Sequence, residues 1–371
     1  MPRVLVRSER AYLRHDGEDT FLVEPGSRSQ LRLNPVAASI AEHLGAPITR
    51  EQLHARLLAQ FDVPAEQCAE DADRFVDQLA ELGLVEAREE PATDTAARRR
   101  YLDLLKRTLV NLVYAEDALR LDLALSGELP GDPLEDARLL RDVRYRRPAA
   151  HGDLVAAKRD GTLSVFGARL SHTMIGLSGL DNLERCASKV FADGVPGDFL
   201  EAGVCHGGGS IFLRALQVAY GEEDRVTWVA DSFGGVPPPE HPVDRAHELD
   251  LTEQRHPWMA AGLEAVRDNF ATYQLLSDSV RFLPGLFADT LPSAPVERLA
   301  ILRLDGDLYG STRDTLTALY DRVAPGGFVI VDDYGALAPC RQAVDEFLVE
   351  RGLEVELHPV DWTRVCWRKT E

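Results

Sequence analysis

The sequence lacks the features of a membrane-spanning or exported protein. Its 371 residues contain no apolar run that approaches the roughly 18 residues of a spanning helix. The start of the chain, "MPRVLVRSERAYLRHDG", has no apolar core of about 7–15 residues such as a secretory signal carries. The five cysteines are scattered and form no C-x-x-C pair, which excludes a disulfide framework and a zinc knuckle. These absences favour a cytoplasmic location.

Basic residues are also scarce. Lysine and arginine number 41 against 61 acidic residues, giving a formal charge of −20. General binding to a nucleic-acid backbone requires clustered positive charge, so this class of protein is excluded. The composition, 45% hydrophobic and 27% charged, is that of a globular protein, and the length suggests two domains or one large one.

Residues 1–90 are predicted to form a small, winged-helix-like α+β domain. Short β-prone stretches separated by turn signals occupy residues 4–33. Three helical patterns follow: Asn34 and Thr49 stand where the first two begin, and the third covers about 65–82. The strands followed by three helices predict one compact module.

The remainder divides into a weakly patterned segment and a strongly patterned one. Residues 91–170 are predicted to be a linker and a helical lid or oligomerisation segment, with helical signals near 101–125. Residues 171–371 alternate apolar strands with helices and close with two strands that form a hairpin. This order predicts a doubly wound α/β sheet with an antiparallel edge, as in class I methyltransferases.

A glycine-rich turn follows the first strand of this region, in "FLEAGVCHGGGS". Glu201, Gly203, Gly207 and Gly208 follow an E-x-G-x-x-x-G-G pattern, which differs from the G-x-G-x-x-G of dinucleotide-binding dehydrogenases. An acidic residue there suits the cationic end of S-adenosylmethionine, and Asp231, at the end of the next strand, suits ribose hydroxyls. The alternatives are a tight turn without a ligand and an N-cap aspartate.

Acidic residues also follow two later strands, in "LRLDGDLYGST" and "VIVDDYG". Because parallel strand ends face one crevice, Asp305, Asp307, Asp332 and Asp333 are expected to converge. Such a cluster is costly without a cation, and oxygen ligands without histidine or cysteine favour Mg²⁺. Asp307, or one of Asp332 and Asp333, could instead cap the following helix.

The same stretches, together with "TMIGLSGLDNLERC" and "VADSFGGVPPP", resemble the macrocin O-methyltransferase (TylF-like) family. That resemblance implies dependence on S-adenosylmethionine and Mg²⁺, and methylation of sugar hydroxyls on natural products. It implies that the metal ligands are Asp305, Asp332 and Asp333. It implies a cofactor site lined by Met174, Glu201, Gly203, Gly207, Gly208, Asp231 and Ser232. For the catalytic base the candidates are His247, His256 and Asp305.

Residues 1–88 resemble a second family, the PqqD-like recognition elements of ribosomal-peptide biosynthesis, over "LRLNPVAASIAEHLGAPITREQLHARLLAQ" and beyond. The resemblance implies that a leader peptide adds a strand at the edge near residues 29–33, beside the helix 65–82. Alternatively, the module only packs on the enzyme or binds DNA. With 17 acidic and 10 basic residues in 1–90, DNA is the weakest option.

Taken together, the sequence predicts an O-methyltransferase, dependent on S-adenosylmethionine and Mg²⁺, that modifies a hydroxyl or carboxylate of a ribosomally made peptide held by its leader. One alternative is methylation of a sugar hydroxyl on a small natural product. A second is an inactive carrier that only binds leader peptide. The expected partner is a precursor peptide rather than nucleic acid or membrane, and a homo-oligomer through residues 101–150 is a further hypothesis.

Overall fold

The computed structural model describes residues 3–8, 11–16, 19–24, 29–45, 48–61, 63–89, 95–161, 170–256 and 259–370. Along the chain, these ranges form a small N-terminal α+β unit, a run of helices and a large α/β unit. Within them, no helix has the length and apolar character needed to span a lipid bilayer.

The N-terminal unit is built from two small sheets and three helices. Its elements are β1 (Arg3–Arg7), β2 (Tyr12–Asp16), β3 (Asp19–Glu24), β4 (Ser29–Leu33), α1 (Pro35–His43), α2 (Arg50–Gln60), α3 (Ala65–Glu81) and β5 (Val85–Glu89). β1 pairs antiparallel with β5, and β2, β3 and β4 form an antiparallel meander. The predicted helix starts are confirmed, because Asn34 accepts a hydrogen bond from the Ala37 N–H at 2.8 Å and Thr49 forms a capping box with Gln52.

Helices fill the segment after this unit. They are α4 (Thr95–Leu109), α5 (Glu116–Ser126), α6 (Pro133–Arg141), α7 (Val143–Arg146) and α8 (Pro148–Asp160). Helical structure therefore continues past the region near 101–125 where the sequence signals it. The Asp132 carboxylate caps α6 through the N–H groups of Leu134 and Glu135, both at 2.9 Å. Leu102, Leu105 and Leu109 of α4 join the core of the α/β unit.

The α/β unit contains a seven-stranded sheet in the order β11-β12-β10-β9-β6-β7-β8. The strands are β6 (Asp198–Ala202), β7 (Thr227–Asp231), β8 (Val280–Pro284), β9 (Leu299–Leu304), β10 (Val323–Val331), β11 (His358–Pro359) and β12 (Val365–Arg368). β10, β9, β6, β7 and β8 are mutually parallel, whereas β12 runs antiparallel to both β10 and β11. The predicted doubly wound sheet with an antiparallel terminal hairpin is confirmed.

Helices cover both faces of this sheet. They are α9 (Gly176–Ala192), α10 (Gly208–Tyr220), α11 (Pro242–Ala246), α12 (Leu263–Thr272), α13 (Phe287–Thr290), α14 (Tyr309–Leu319) and α15 (Ala338–Glu350). Side chains of α4, α9, α10 and α12 form the core on one face, and those of α14 and α15 form it on the other. From β6 the chain adds β7 and β8 on one side and then β9 and β10 on the other side. This change of side makes β6 the topological switch point of the sheet, and a ligand crevice is expected at the carboxyl ends of the strands there.

Candidate active site

A cavity of about 230 Å³ opens at the carboxyl ends of the parallel strands. Of the residues predicted to bind cofactor, metal or substrate, those that line it are Met174, Glu201, Gly203, Asp231, Ser232, Asp305, Asp332 and Asp333. The fold therefore brings together side chains that are up to 159 residues apart in the sequence, from Met174 to Asp333. Met174 precedes the helix Gly176–Ala192, and each of the others comes from a strand end or from the loop that follows it, as expected for this class of sheet.

Gly203 sets the distance between the ends of β6 and β9. Its φ of +90° is in the left-handed region, and a Cβ atom there would collide with the backbone carbonyl of Asp305. The two strand ends are joined by the Asp305 N–H, which donates to the Ala202 carbonyl at 2.8 Å. A side chain at position 203 would therefore push the carboxylate-bearing loop away from β6.

Gly207 and Gly208 contact neighbouring parts of the protein. Among the described residues, neither is part of the cavity lining. Gly207 has a φ of +85° and packs against Val266, while the Gly208 N–H donates to the His172 carbonyl at 2.9 Å. In this structure the glycines let α10 begin close to its neighbours, which is the tight-turn alternative considered for this stretch.

Asp231 is held rigidly at the end of β7. Its Oδ2 accepts hydrogen bonds from the N–H groups of Val204 at 2.7 Å and Cys205 at 3.3 Å. Its Oδ1 accepts from the Phe233 N–H at 2.8 Å and the Ser232 hydroxyl at 3.3 Å. A carboxylate with two oxygens retains lone pairs beyond these bonds, so Asp231 can still accept from ligand hydroxyls in the cavity.

Glu201 is buried beneath the cavity, and its partners are protein side chains. One carboxylate oxygen contacts the Arg303 guanidinium and the other accepts from the Ser210 hydroxyl. Burial raises the pKa of Glu201 to about 7, despite the opposing effect of Arg303. With both oxygens engaged, Glu201 orients Arg303 as well as bordering the cavity.

Four carboxylates meet in the loops after β9 and β10. One ligand atom from each of Asp305, Asp332 and Asp333 lies within 4.8 Å of the others. Asp307 is joined to them because its N–H donates to Asp333 Oδ2 at 3.3 Å. Asp307 adopts a φ of +58°, which is rare for a non-glycine residue and places its carboxyl on the cavity wall.

The electrostatics of this cluster are unbalanced. Burial, followed by repulsion from Asp332, raises the pKa of Asp305 to about 6. Burial and the neighbouring carboxylates also raise the pKa of Asp307 and of Asp333 well above the usual range. An additional cation would relieve this repulsion, so the donor set fits a hard divalent ion such as Mg²⁺.

Two arginines supply positive charge that offsets part of the negative charge of the cluster, and sequence reasoning missed both of them. Arg303 lies within β9, its side chain is 2% exposed, and it contacts Asp305 at 2.9 Å and Asp332 at 2.5 Å. Arg364, from the terminal hairpin, donates through Nε to Asp332 Oδ1 at 2.6 Å. Burial disfavours the Asp332 carboxylate, but these two guanidiniums outweigh that effect and hold its pKa below the usual value. Arg303 interrupts the apolar stretch "LAILRL", a pattern that could have signalled a buried, paired charge.

The predicted histidine bases lie away from the cavity lining. His247 is exposed and His256 is half-buried, and neither is among the described residues that border the cavity. His241 does border it, with its ring stacked on Tyr309 at 4.2 Å between centroids. The buried Asp244 fixes this region by accepting the Tyr309 N–H at 2.7 Å and the Gly310 N–H at 3.1 Å.

The parallel sheet with its antiparallel hairpin and a carboxylate-lined cavity at the strand ends define a class I methyltransferase. The family described as macrocin-O-methyltransferase (TylF) matches residues 98–369. The chain therefore belongs to the macrocin O-methyltransferase family and is an O-methyltransferase. Methyl transfer in this family implies S-adenosylmethionine as the donor.

Named relatives agree with this assignment. The chain is 45% identical over 277 residues to 8-demethyl-8-(2,3-dimethoxy-alpha-L-rhamnosyl)-tetracenomycin-C 4'-O-methyltransferase of Streptomyces olivaceus, covering 74% of this chain and 94% of that one. It is 41% identical over 275 residues to mycinamicin III 3''-O-methyltransferase of Micromonospora griseorubida, covering 73% and 96%. The solved structure of the O-methyltransferase NovP superposes with a TM-score of 0.59 at 38% identity, covering 74% of this chain and 100% of that one.

The N-terminal unit has a separate match. The family described as coenzyme PQQ synthesis protein D (PqqD) matches residues 19–85. This range covers β3 and β4, the three helices and the start of β5. It precedes the methyltransferase match, so the chain combines two family domains.

Proposed function

We propose that the chain transfers the methyl group of S-adenosylmethionine to a sugar hydroxyl of a small natural product, with Mg²⁺ bound by Asp305, Asp332 and Asp333. The observation that carries the proposal is the carboxylate cluster at the mouth of a methyltransferase cavity. The sugar hydroxyl is supported by relatives named for methylating such positions. They favour this alternative over the peptide acceptor that the sequence first suggested.

The cofactor would lie across the ends of β6 and β7. Asp231 is fixed by backbone N–H groups and has lone pairs left to accept ribose hydroxyls. Met174 and Ser232 border the same space, and the absence of a side chain at Gly203 keeps it open. Glu201 would also influence the metal ligands indirectly, because it orients Arg303, which contacts Asp305 and Asp332.

Mg²⁺ bound at the cluster would supply positive charge that lowers the pKa of an acceptor hydroxyl and orients it. The side-chain contribution to the proton transfer is assigned to Asp307. It borders the cavity, and burial together with the neighbouring carboxylates raises its pKa above the ordinary range, which increases its affinity for a proton. On this proposal Asp307 replaces His247 and His256 as the base.

An acceptor assay tests the proposal. The full chain is incubated with labelled S-adenosylmethionine, MgCl₂ and a rhamnosylated aromatic polyketide, with EDTA as the metal-removal arm. We expect labelling of a sugar hydroxyl that EDTA abolishes and added Mg²⁺ restores. Asp307→Asn should lower kcat by about 10²–10⁴-fold, the usual contribution of a general base, while the exposed Asp278→Asn serves as the matched control. Undiminished labelling in EDTA would refute the metal role, and full activity of Asp307→Asn would refute its role as base.

A second candidate substrate is a precursor peptide, with the same chemistry at the same cavity. The match of residues 19–85 to PqqD supports it, as does β4, which among the described strands pairs with β3 alone. An open strand edge can add a further strand from an extended peptide, between β4 and α3 in this proposal. Tethering there would raise the local concentration of the acceptor at the cavity.

The peptide encoded nearest the gene, with and without its leader, distinguishes the candidates. Leader-dependent methylation supports the second candidate. Binding of the peptide without methyl transfer to any acceptor would instead indicate an inactive carrier. A Gln30→Pro variant removes a backbone donor from β4 and should weaken leader binding, while leaving methylation of a free glycoside unchanged.

A further inference from the structure

A second cavity, of about 330 Å³, lies between the N-terminal unit and the methyltransferase unit. Eight of its lining residues, from Arg7 to Gln60, precede residue 98, where the methyltransferase family match begins. The others come from α4, α8, α9 and the terminal hairpin. This cavity therefore exists only because the N-terminal unit is present.

Most of the charged groups around this cavity are already paired. Lys106 contacts Glu184 at 2.5 Å and also contacts Asp181. Further ion pairs join Arg56 to Asp103 at 3.6 Å, Arg107 to Asp103 at 3.3 Å and Arg159 to Glu42 at 3.4 Å. Two of these pairs, Arg56 with Asp103 and Arg159 with Glu42, join the two units, and the others lie within the methyltransferase unit.

Arg7 differs from these cations. Its Nε and Nη1 atoms are buried and, within the part of the chain that the structure describes, have no hydrogen-bond partner. Burial, reinforced by Arg185, lowers the pKa of Arg7 to about 10 against the opposing charges of Asp181, Asp361 and Glu42, so the side chain remains charged at neutral pH. The nearby His43 is neutral, because burial lowers its pKa to about 4. A buried guanidinium with unused donors is costly unless an anion completes it.

The two cavities share a wall. Trp362 lines both of them and is 48% exposed. Asp361 lines the second cavity, accepts the Ser178 hydroxyl at 2.8 Å and contacts Arg364. Arg364 in turn contacts Asp332 of the catalytic cluster at 2.6 Å. An extended ligand that passes over Trp362 would occupy both cavities at once.

We propose that the second cavity binds a carboxylate-bearing segment of a peptide substrate, with Arg7 as the cation that receives the carboxylate. The inference rests on the peptide candidate above and adds a site that neither family match contains by itself. A peptide segment is the chosen occupant because the cavity is bounded by the unit that matches PqqD, for which a peptide ligand was proposed above, and opens beside the catalytic cavity. A carboxylate would supply the acceptors that the two buried donors of Arg7 lack.

The probe is the short peptide fluorescein-Gly-Asp-Glu-Asp-Gly-amide, and the analogue with Asn and Gln in place of Asp and Glu is the control ligand. Binding to the full-length chain is followed by fluorescence polarisation, and the thermal midpoint is measured for each variant. We expect Arg7→Met and Arg7→Gln to weaken binding of the acidic probe at least tenfold. We also expect both to retain or raise Tm, because an unsatisfied buried charge has been removed. Arg141→Met, an exposed arginine outside the cavity, should change neither quantity.

Several results would overturn the proposal. Two concern the ligand: the acidic probe does not bind, or the amide analogue binds with the same affinity as the acidic probe. Two concern the variants: both Arg7 variants bind the probe as tightly as the wild type, or both have a lower Tm, which would make Arg7 a structural residue. The probe contains no leader sequence. A negative result here therefore leaves strand addition at β4 standing, whereas failure of the precursor to bind would remove the peptide candidate itself.

Discussion

Arg303 should be one of the residues whose loss the fold tolerates least. Its side chain is 2% exposed and contacts Glu201, Asp305 and Asp332, so solvent does not screen the interactions. Arg303→Met has a similar volume but leaves these carboxylates without their shared cation. Removing one partner of a buried ion pair costs about 3–5 kcal/mol, and we expect a loss of unfolding free energy in that range.

A double-mutant cycle with Glu201→Gln shows whether the lost charge, rather than altered packing, destabilises Arg303→Met. Glu201→Gln should be more stabilising in the Arg303→Met background than in the wild-type background, by about 1 kcal/mol or more, because the wild-type carboxylate contacts a cation and that of the variant does not. This difference between the two backgrounds is specific to a charge-pairing role.

Urea unfolding at pH 7.5, followed by circular dichroism, provides the free energies, with the m-value monitored for two-state behaviour. Arg351→Met is the matched control, because Arg351 and its partner Asp321 are both exposed, and its unfolding free energy should stay close to wild type. A loss below about 1 kcal/mol for Arg303→Met would refute the reasoning, as would an equal effect of Glu201→Gln in both backgrounds.

Two further predictions concern backbone geometry and pH. Gly203→Ala should lower the free energy of unfolding by about 1–3 kcal/mol or more and weaken S-adenosylmethionine binding. The control Gly221→Ala, with φ +73° and no atom within 4 Å of the new Cβ, should lower stability without changing ligand affinity. Scanning and titration calorimetry measure stability and affinity, and the same affinity for S-adenosylmethionine in Gly203→Ala and in the wild type would contradict the prediction. Burial lowers the pKa of His43 to about 4 in the folded state, against 6.5 in the unfolded state. As the pH falls from 8 to 5, the unfolded state takes up the proton first, so the free energy of unfolding should decrease by about 2 kcal/mol. His43→Gln should flatten this part of the curve of unfolding free energy against pH, and an unchanged slope would refute the assignment.

The sequence predicted the elements whose signals are local. Alternating apolar strands and helices, followed by two closing strands, were enough for the sheet and its terminal hairpin. Asp305, Asp332 and Asp333 could be placed together because each follows a strand, and parallel strands end at one edge. Asn34 and Thr49 were identifiable because a helix start depends on only a few neighbouring residues.

The parts that were missed depend on distant residues. Arg364 contacts Asp332 from the terminal hairpin, and no pattern near either residue predicts this pairing. His247 and His256 were chosen by residue type in a stretch without sustained periodicity, and the path of that loop brings His241 to the cavity lining instead. Gly207 stays a predicted cofactor contact; in this structure it packs against Val266 of α12, and a close approach to a helix favours glycine as much as one to a cofactor does.

The position of Arg364 in the chain has a consequence for the order in which the protein is made. Every other residue of the catalytic cluster, from Glu201 to Asp333, is synthesised before it. Until the terminal hairpin emerges and pairs with β10, Arg303 is the one guanidinium among the described residues that balances Asp332, and the wall between the two cavities is absent. The site is therefore completed only after the hairpin has been synthesised. A chain that stops before residue 364 would carry the carboxylates without Arg364.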